Sequence, residues 1–300
     1  MSTFLYSIFR SFFFANYFYG LCLLALSIEA AAQLQFQIND RSYYLILVST
    51  SIVFYTKAYI SDRSGYPSNE RDEWYKVNKA FIKASQILLS SIVILFTIRM
   101  ILVHSEQIKQ LSILSLFLIL LFPLLAVMYY GFNSKVNLRT IGWLKPFIIG
   151  FCWAGIVTIY PLIFYSIESK SIFELSQISV WLFLKNFLFI SVLCIMFDIK
   201  DENTDSENKL NTFVVKKGLN FTLFNIIVPL SLIGLTAFIL FAYNHQFSLM
   251  KIILNSIPFL LMILLAYKLR VKRNLMYYLV YVDGLMLLKG ICGIVAMKFF

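Results

Sequence analysis

Asp198, Asp201 and Asp205 stand at i, i+3 and i+7, directly after the apolar stretch from Trp181 to Phe197. If a helix continues past Phe197, all three carboxylates lie on one of its faces. Negative charge grouped at a membrane boundary requires a positive partner, and grouped oxygen ligands suit a divalent cation such as Mg2+. A magnesium ion held by Asp198, Asp201 and Asp205 can in turn hold a diphosphate.

The elements that must position these aspartates are apolar helices. The chain of 300 residues is 60% hydrophobic and only 14% charged, with a mean hydropathy of +0.79. Soluble domains have roughly 45–50% apolar and about 25% charged residues. The expected class is all-α: a polytopic membrane bundle, residues 1–300 forming a single membrane domain. Spans of about 20 residues are expected near Phe12–Leu34, Tyr43–Ile60, Phe81–Val103, Leu111–Tyr130, Trp143–Tyr165, Ile178–Phe197, Phe221–Ala242, Ile252–Tyr267 and Met276–Val295, nine in all. The first apolar run has no small-residue cleavage site after it and reads as a retained span.

With nine spans, most of the 26 basic residues gather on the side holding the N-terminus and the loops after even-numbered spans. That bias marks the side as cytoplasmic, which puts the aspartates where magnesium and diphosphate esters are found, in a bacterial inner membrane by expectation. The net charge of +11 is therefore a topology signal, and with no basic helix or RNA-binding motif in a soluble segment, nucleic acid is not an expected partner. The lipid bilayer is. Cys22, Cys152, Cys194 and Cys292 lie singly within apolar spans and read as core residues. His104 and His245 at span ends read as solvated. Lys185 is out of phase with Asp198 and is expected to pair elsewhere in the bundle. Asp283 and Lys289 are expected either to pair within the last span or to face a polar cavity.

The run Phe197-Asp198-Ile199-Lys200-Asp201-Glu202-Asn203-Thr204-Asp205, with Thr212 and Gly218 following, resembles the second aspartate-rich motif of the UbiA superfamily of intramembrane prenyltransferases. In that family D-x-x-D-x-x-x-D leads to a threonine and then a glycine at this spacing. Leu138-Arg139-Thr140-Ile141-Gly142-Trp143-Leu144-Lys145-Pro146 looks like the loop before span five in a divergent branch. The specific likeness covers about twenty residues, and the topology extends it along the chain. It implies a magnesium-dependent enzyme that moves a polyprenyl group from its diphosphate to an aromatic or lipid acceptor. Neutralising the leaving diphosphate by metal and Lys/Arg fits that chemistry.

The resemblance also implies that Tyr130, Lys135 and Arg139 lie near the diphosphate, and that Arg71, Lys76 and Lys79 belong to a loop capping the site. The family's first acidic motif falls where this chain reads Thr56-Lys57-Ala58-Tyr59-Ile60-Ser61-Asp62-Arg63-Ser64-Gly65-Tyr66, which keeps one carboxylate, Asp62. Lys57 either takes the place of a cation at the diphosphate or snorkels to the interface. Two other functions compatible with the sequence are a family-shaped lipid-binding accessory protein and a secondary transporter, since buried ionisable groups also mark ion pathways.

Overall fold

The computed structural model describes residues 3–61, 70–131 and 137–300, with the side chains of 3, 4, 58, 59 and 61 left aside. Among the described residues there is no strand. Apart from the short helices Ser105–Lys109 and Phe213–Lys217 and the turn at Leu138–Thr140, the helices are α1 (Thr3–Phe14), α2 (Tyr17–Gln33), α3 (Ser42–Ser61), α4 (Glu70–Val77), α5 (Lys79–Val103), α6 (Ile113–Tyr130), α7 (Lys145–Ser169), α8 (Gln177–Glu207), α9 (Leu219–Asn244), α10 (Leu249–Lys268) and α11 (Leu275–Phe299).

Seven of these, α5 to α11, are long and apolar enough to cross a bilayer, and α1 with α2 makes an eighth if that bent pair is one span. The apolar helices mark a multi-pass integral membrane protein, all-helical among the described residues, which hold seven or eight candidate spans where nine were expected. The Phe12–Leu34 segment is broken at Ala15-Asn16, where the axis turns by 66°. In α3, Ser49, Thr50, Ser51, Thr56 and Lys57 dilute the apolar pattern.

Contacts divide the chain into two compact units. The first holds residues 1–24, 38–110 and 167–170. Here α3 packs along α5, and Arg71 of α4 closes the break after α1. Its Nε and Nη2 donate to the Phe14 carbonyl at 3.0 and 2.7 Å, and Nη2 also reaches Asn16 Oδ1 at 2.6 Å. Tyr75 donates to the same carbonyl at 3.0 Å. A helix end inside an apolar layer needs such partners for its orphan carbonyls. The guanidinium of Arg71 is buried in that role, so of the basic residues expected to cap the site this one works as a helix terminator. Ile82, Ser85 and Leu89 of α5 are buried, while Ile87, Leu88, Ile94, Leu95, Ile98 and Leu102 are exposed, the apolar surface that a lipid-facing helix presents.

The second unit holds residues 25–37, 111–166 and 171–300. Its centre is α8, packed along α7 on one side and α9 on the other; α9 continues onto α10, and α10 onto α11. Small residues permit the closest approaches. A Cβ on Gly150 would stand 2.2 Å from Ser191 Oγ, and one on Gly155 2.1 Å from the Phe122 ring, as expected where small residues let membrane helices approach closely. Ser176 caps α8 by accepting from Ser179 N at 3.2 Å.

Candidate functional site at the end of the long helix

The 31 residues of α8 make it about 46 Å long at 1.5 Å per residue, against a hydrocarbon core of about 30 Å. Started at one interface, the helix leaves the hydrocarbon near Phe197, and its last turns carry the aspartates into the headgroup region. Helix continues to Glu207, so the expected shared scaffold for Asp198, Asp201 and Asp205 is present.

The three do not share one environment. Asp198 and Asp205 are 2% and 4% exposed, and they converge on Lys145 at the start of α7. Lys145 Nζ lies 2.7 Å from Asp198 Oδ1 and 3.6 Å from Asp205 Oδ2; the first is a charge-assisted hydrogen bond and the second an ion pair beyond hydrogen-bond reach. Asp201 sits further out, with a side chain 38% exposed, and pairs with its neighbour Lys200. Among the described residues no group of three or more His, Cys, Asp or Glu side chains is arranged to hold a metal by itself.

Two carboxylate oxygens, Asp198 Oδ2 and Asp205 Oδ2, are buried without a hydrogen-bond partner, and so is the hydroxyl of Thr212. Burying a charged oxygen unsatisfied is costly, so these atoms point to a ligand, water or ion. Arg139 adds a second cation from the turn at Leu138–Thr140, whose backbone is fixed by Arg139 N donating to Asn137 Oδ1 at 2.9 Å. Burial pulls the Arg139 guanidinium below its ordinary value, against the opposing influence of Asp205, then Asp201, then Asp198. Two buried carboxylates therefore face two cations, a formally neutral mixed set.

The Arg139–Lys145 loop is locked in place at Gly142, where a Cβ would stand 2.5 Å from the Asn211 carbonyl carbon and 2.6 Å from Thr212 N. That approach joins the loop before α7 to the segment carrying Thr212, the two stretches that the sequence resemblance singled out. Gly218 has φ +82, a left-handed value that favours glycine.

Of the other expected site residues, Tyr130 ends α6 edge-on to Tyr129 at 5.0 Å. Asp62 and Lys135 fall outside the described residues. Lys57 is exposed near the end of α3, in the first unit. The residue that sequence reasoning missed is Lys145. It stood in the quoted loop and before Pro146, yet it read as ordinary cytoplasmic charge.

A second polar centre lies deep in the same unit. Glu29, fully buried, takes Lys289 on Oε2 at 2.6 Å and Lys185 on Oε1 at 3.2 Å. Lys185 thus pairs elsewhere in the bundle, as expected, and Lys289 finds Glu29. In the first unit, His104 is packed rather than solvated: its Nε2 stands 3.6 Å from Asp40 Oδ2, with 13% of the side chain exposed.

No known family's sequence profile matches the chain, and neither curated proteins nor solved structures give a match.

Proposed function

We propose that the protein is a magnesium-dependent membrane prenyltransferase, which binds a prenyl diphosphate at the Asp198–Asp205–Lys145–Arg139 cluster and passes its chain to an aromatic or lipid acceptor. The observation that carries this reading is the pair of buried carboxylate oxygens without a hydrogen bond, Asp198 Oδ2 and Asp205 Oδ2, beside a buried lysine at the end of a spanning helix. A single-sign cluster would favour either a bare cation or a bare anion. A neutral mixture of carboxylates with ammonium and guanidinium suits a ligand that is itself a cation–anion pair, and a metal diphosphate is one.

The donor set fits magnesium. That ion is commonly held by one or two carboxylates, with water and substrate phosphate completing six ligands, so three protein carboxylates are not needed. Asp198 and Asp205 would hold it through their Oδ2 atoms, with Asp201 at the outer edge. When bound, the metal neutralises charge on the departing diphosphate. Lys145 and Arg139 supply fixed positive charge to the same oxygens, Arg139 in a geometry that can engage two at once. The Thr212 hydroxyl has a donor to give. The prenyl chain lies along the apolar faces of α7 and α8, on the lipid side of the cluster. In this reading the site is at the cytoplasmic face.

Product analysis of membranes tests the reading. Membranes containing the protein, supplied with labelled prenyl diphosphate and magnesium, should form a labelled lipid-soluble product that Asp198→Asn and chelation both abolish. Equal product with Asp198→Asn would refute it. Metal-independent proton or solute flux through reconstituted vesicles, with no product, would favour the transporter.

A further inference from the structure

Lys185 has work left over after its partners are counted. Its Nζ lies 3.2 Å from Glu29 Oε1 and donates to Gln33 Oε1 at 3.0 Å, and it also stands 5.3 Å from the centroid of the Phe238 ring. An ammonium group has three N–H donors; two are taken by oxygens and the third faces an aromatic surface. Phe238, Gln33 and Lys185 are all wall residues of one cavity of about 280 Å³ between α8 and α9. The rest of the wall is apolar, and its Trp181, Leu184 and Ile233 are 41%, 40% and 56% exposed, so the cavity opens on the surface that lipid covers.

Charge there is unbalanced. Glu29 faces both Lys185 and Lys289, one carboxylate for two ammonium groups. Gln33 turns its amide nitrogen to Glu29 at 2.6 Å and to Asn255 at 3.1 Å, leaving its carbonyl to Lys185. A further cation, Lys251, stands 5.8 Å from the ring of Phe247, another wall residue. An apolar chamber with a cationic pole at one end and a lipid-facing mouth is complementary to an amphiphile with an anionic head.

We infer that this cavity binds a long-chain carboxylic acid drawn from the bilayer, its carboxylate on Lys185 and its single alkyl chain between Trp181 and Phe238. The volume of about 280 Å³ falls just below the roughly 300–1,000 Å³ seen for small-molecule pockets; it holds the head and first part of one alkyl chain, the remainder leaving through the lipid-facing mouth, and is too little for a two-chain phospholipid. Lys185 precedes Asp198 by thirteen positions on the same helix, about 20 Å along its axis, so this is a separate site from the diphosphate cluster and does not depend on the prenyl reading.

The experiment uses the purified full chain in detergent or nanodiscs, with a fluorescent C18 fatty acid and its methyl ester as probes. The acid should bind saturably, and the ester at least about tenfold more weakly, because a hydrogen-bonded charge is lost. Ala237→Trp, which fills the cavity from a wall position without touching the charges, should abolish binding of the acid and leave the protein monodisperse, with its helicity by circular dichroism unchanged. Lys185→Met, where it folds, should bind acid and ester alike. Equal affinity of acid and ester for the unaltered protein, no saturable binding of either, or acid binding undiminished by Ala237→Trp would each overturn the assignment.

Discussion

Replacing Lys145 by methionine keeps the length of the side chain and removes its charge. In the native protein its ammonium stands 2.7 Å from Asp198 and 3.6 Å from Asp205, both at most 4% exposed. Removing one partner of a buried pair typically costs about 3–5 kcal/mol, because the remaining charge stays buried and uncompensated. Arg139 still faces the carboxylates, so the lower part of that range applies, about 3 kcal/mol. That is a large share of a total stability of roughly 5–15 kcal/mol. Asp198→Asn should also destabilise, by leaving Lys145 with only the longer contact. The double variant Lys145→Met with Asp198→Asn removes both halves, so its loss should fall short of the two single losses added together by roughly 0.5–3 kcal/mol. Denaturation of all four proteins in the same detergent, followed by tryptophan fluorescence and aggregation onset, measures this. Strict additivity would refute the pairing that builds the site.

The aspartates were legible in the sequence because a charge run directly after an apolar span has few structural explanations. Their division was not. That Asp198 and Asp205 turn inward while Asp201 turns out depends on where α7 packs, and that packing is set by Gly142, Gly150 and Gly155 approaching neighbours within a distance no side chain allows. Lys145 stayed hidden because a lysine in a loop rich in basic residues already has a sufficient reason to be there. The Glu29 centre joins residues 156 and 260 positions apart, and nothing in local periodicity links them. The expected first span is bent at Ala15-Asn16 for a local reason: Asn16 takes a left-handed φ of 65°, and Arg71, far along the chain, stabilises the resulting helix end.

Other perturbations follow from the same contacts. Glu29→Gln leaves Lys185 and Lys289 facing each other in a fully buried setting, and should destabilise by about 3–5 kcal/mol, read as a lower denaturation midpoint; a change below about 0.5 kcal/mol would show that the centre is not ionic. Gly142→Ala places a Cβ 2.5 Å from the Asn211 backbone and should separate the two loops, abolishing magnesium-dependent diphosphate binding while helicity by circular dichroism is kept. At Asp40, burial raises the carboxyl, but the Ser42 N–H, then Arg99, outweigh it and hold it at about 2. Its contribution to stability is therefore present above the ordinary carboxylate value of about 3.9 and lost as pH falls towards about 2. Asp40→Asn should remove that acid-side loss, and an unchanged pH profile would contradict the assignment.

The central claim is that Asp198 and Asp205 await a metal-bound diphosphate. Calorimetric titration of the purified protein with geranylgeranyl diphosphate, with magnesium and then with chelator, tests it most directly. Saturable binding that needs magnesium and disappears in Asp198→Asn is the predicted result. Binding that ignores magnesium and survives Asp198→Asn, or no binding under either condition, would contradict it.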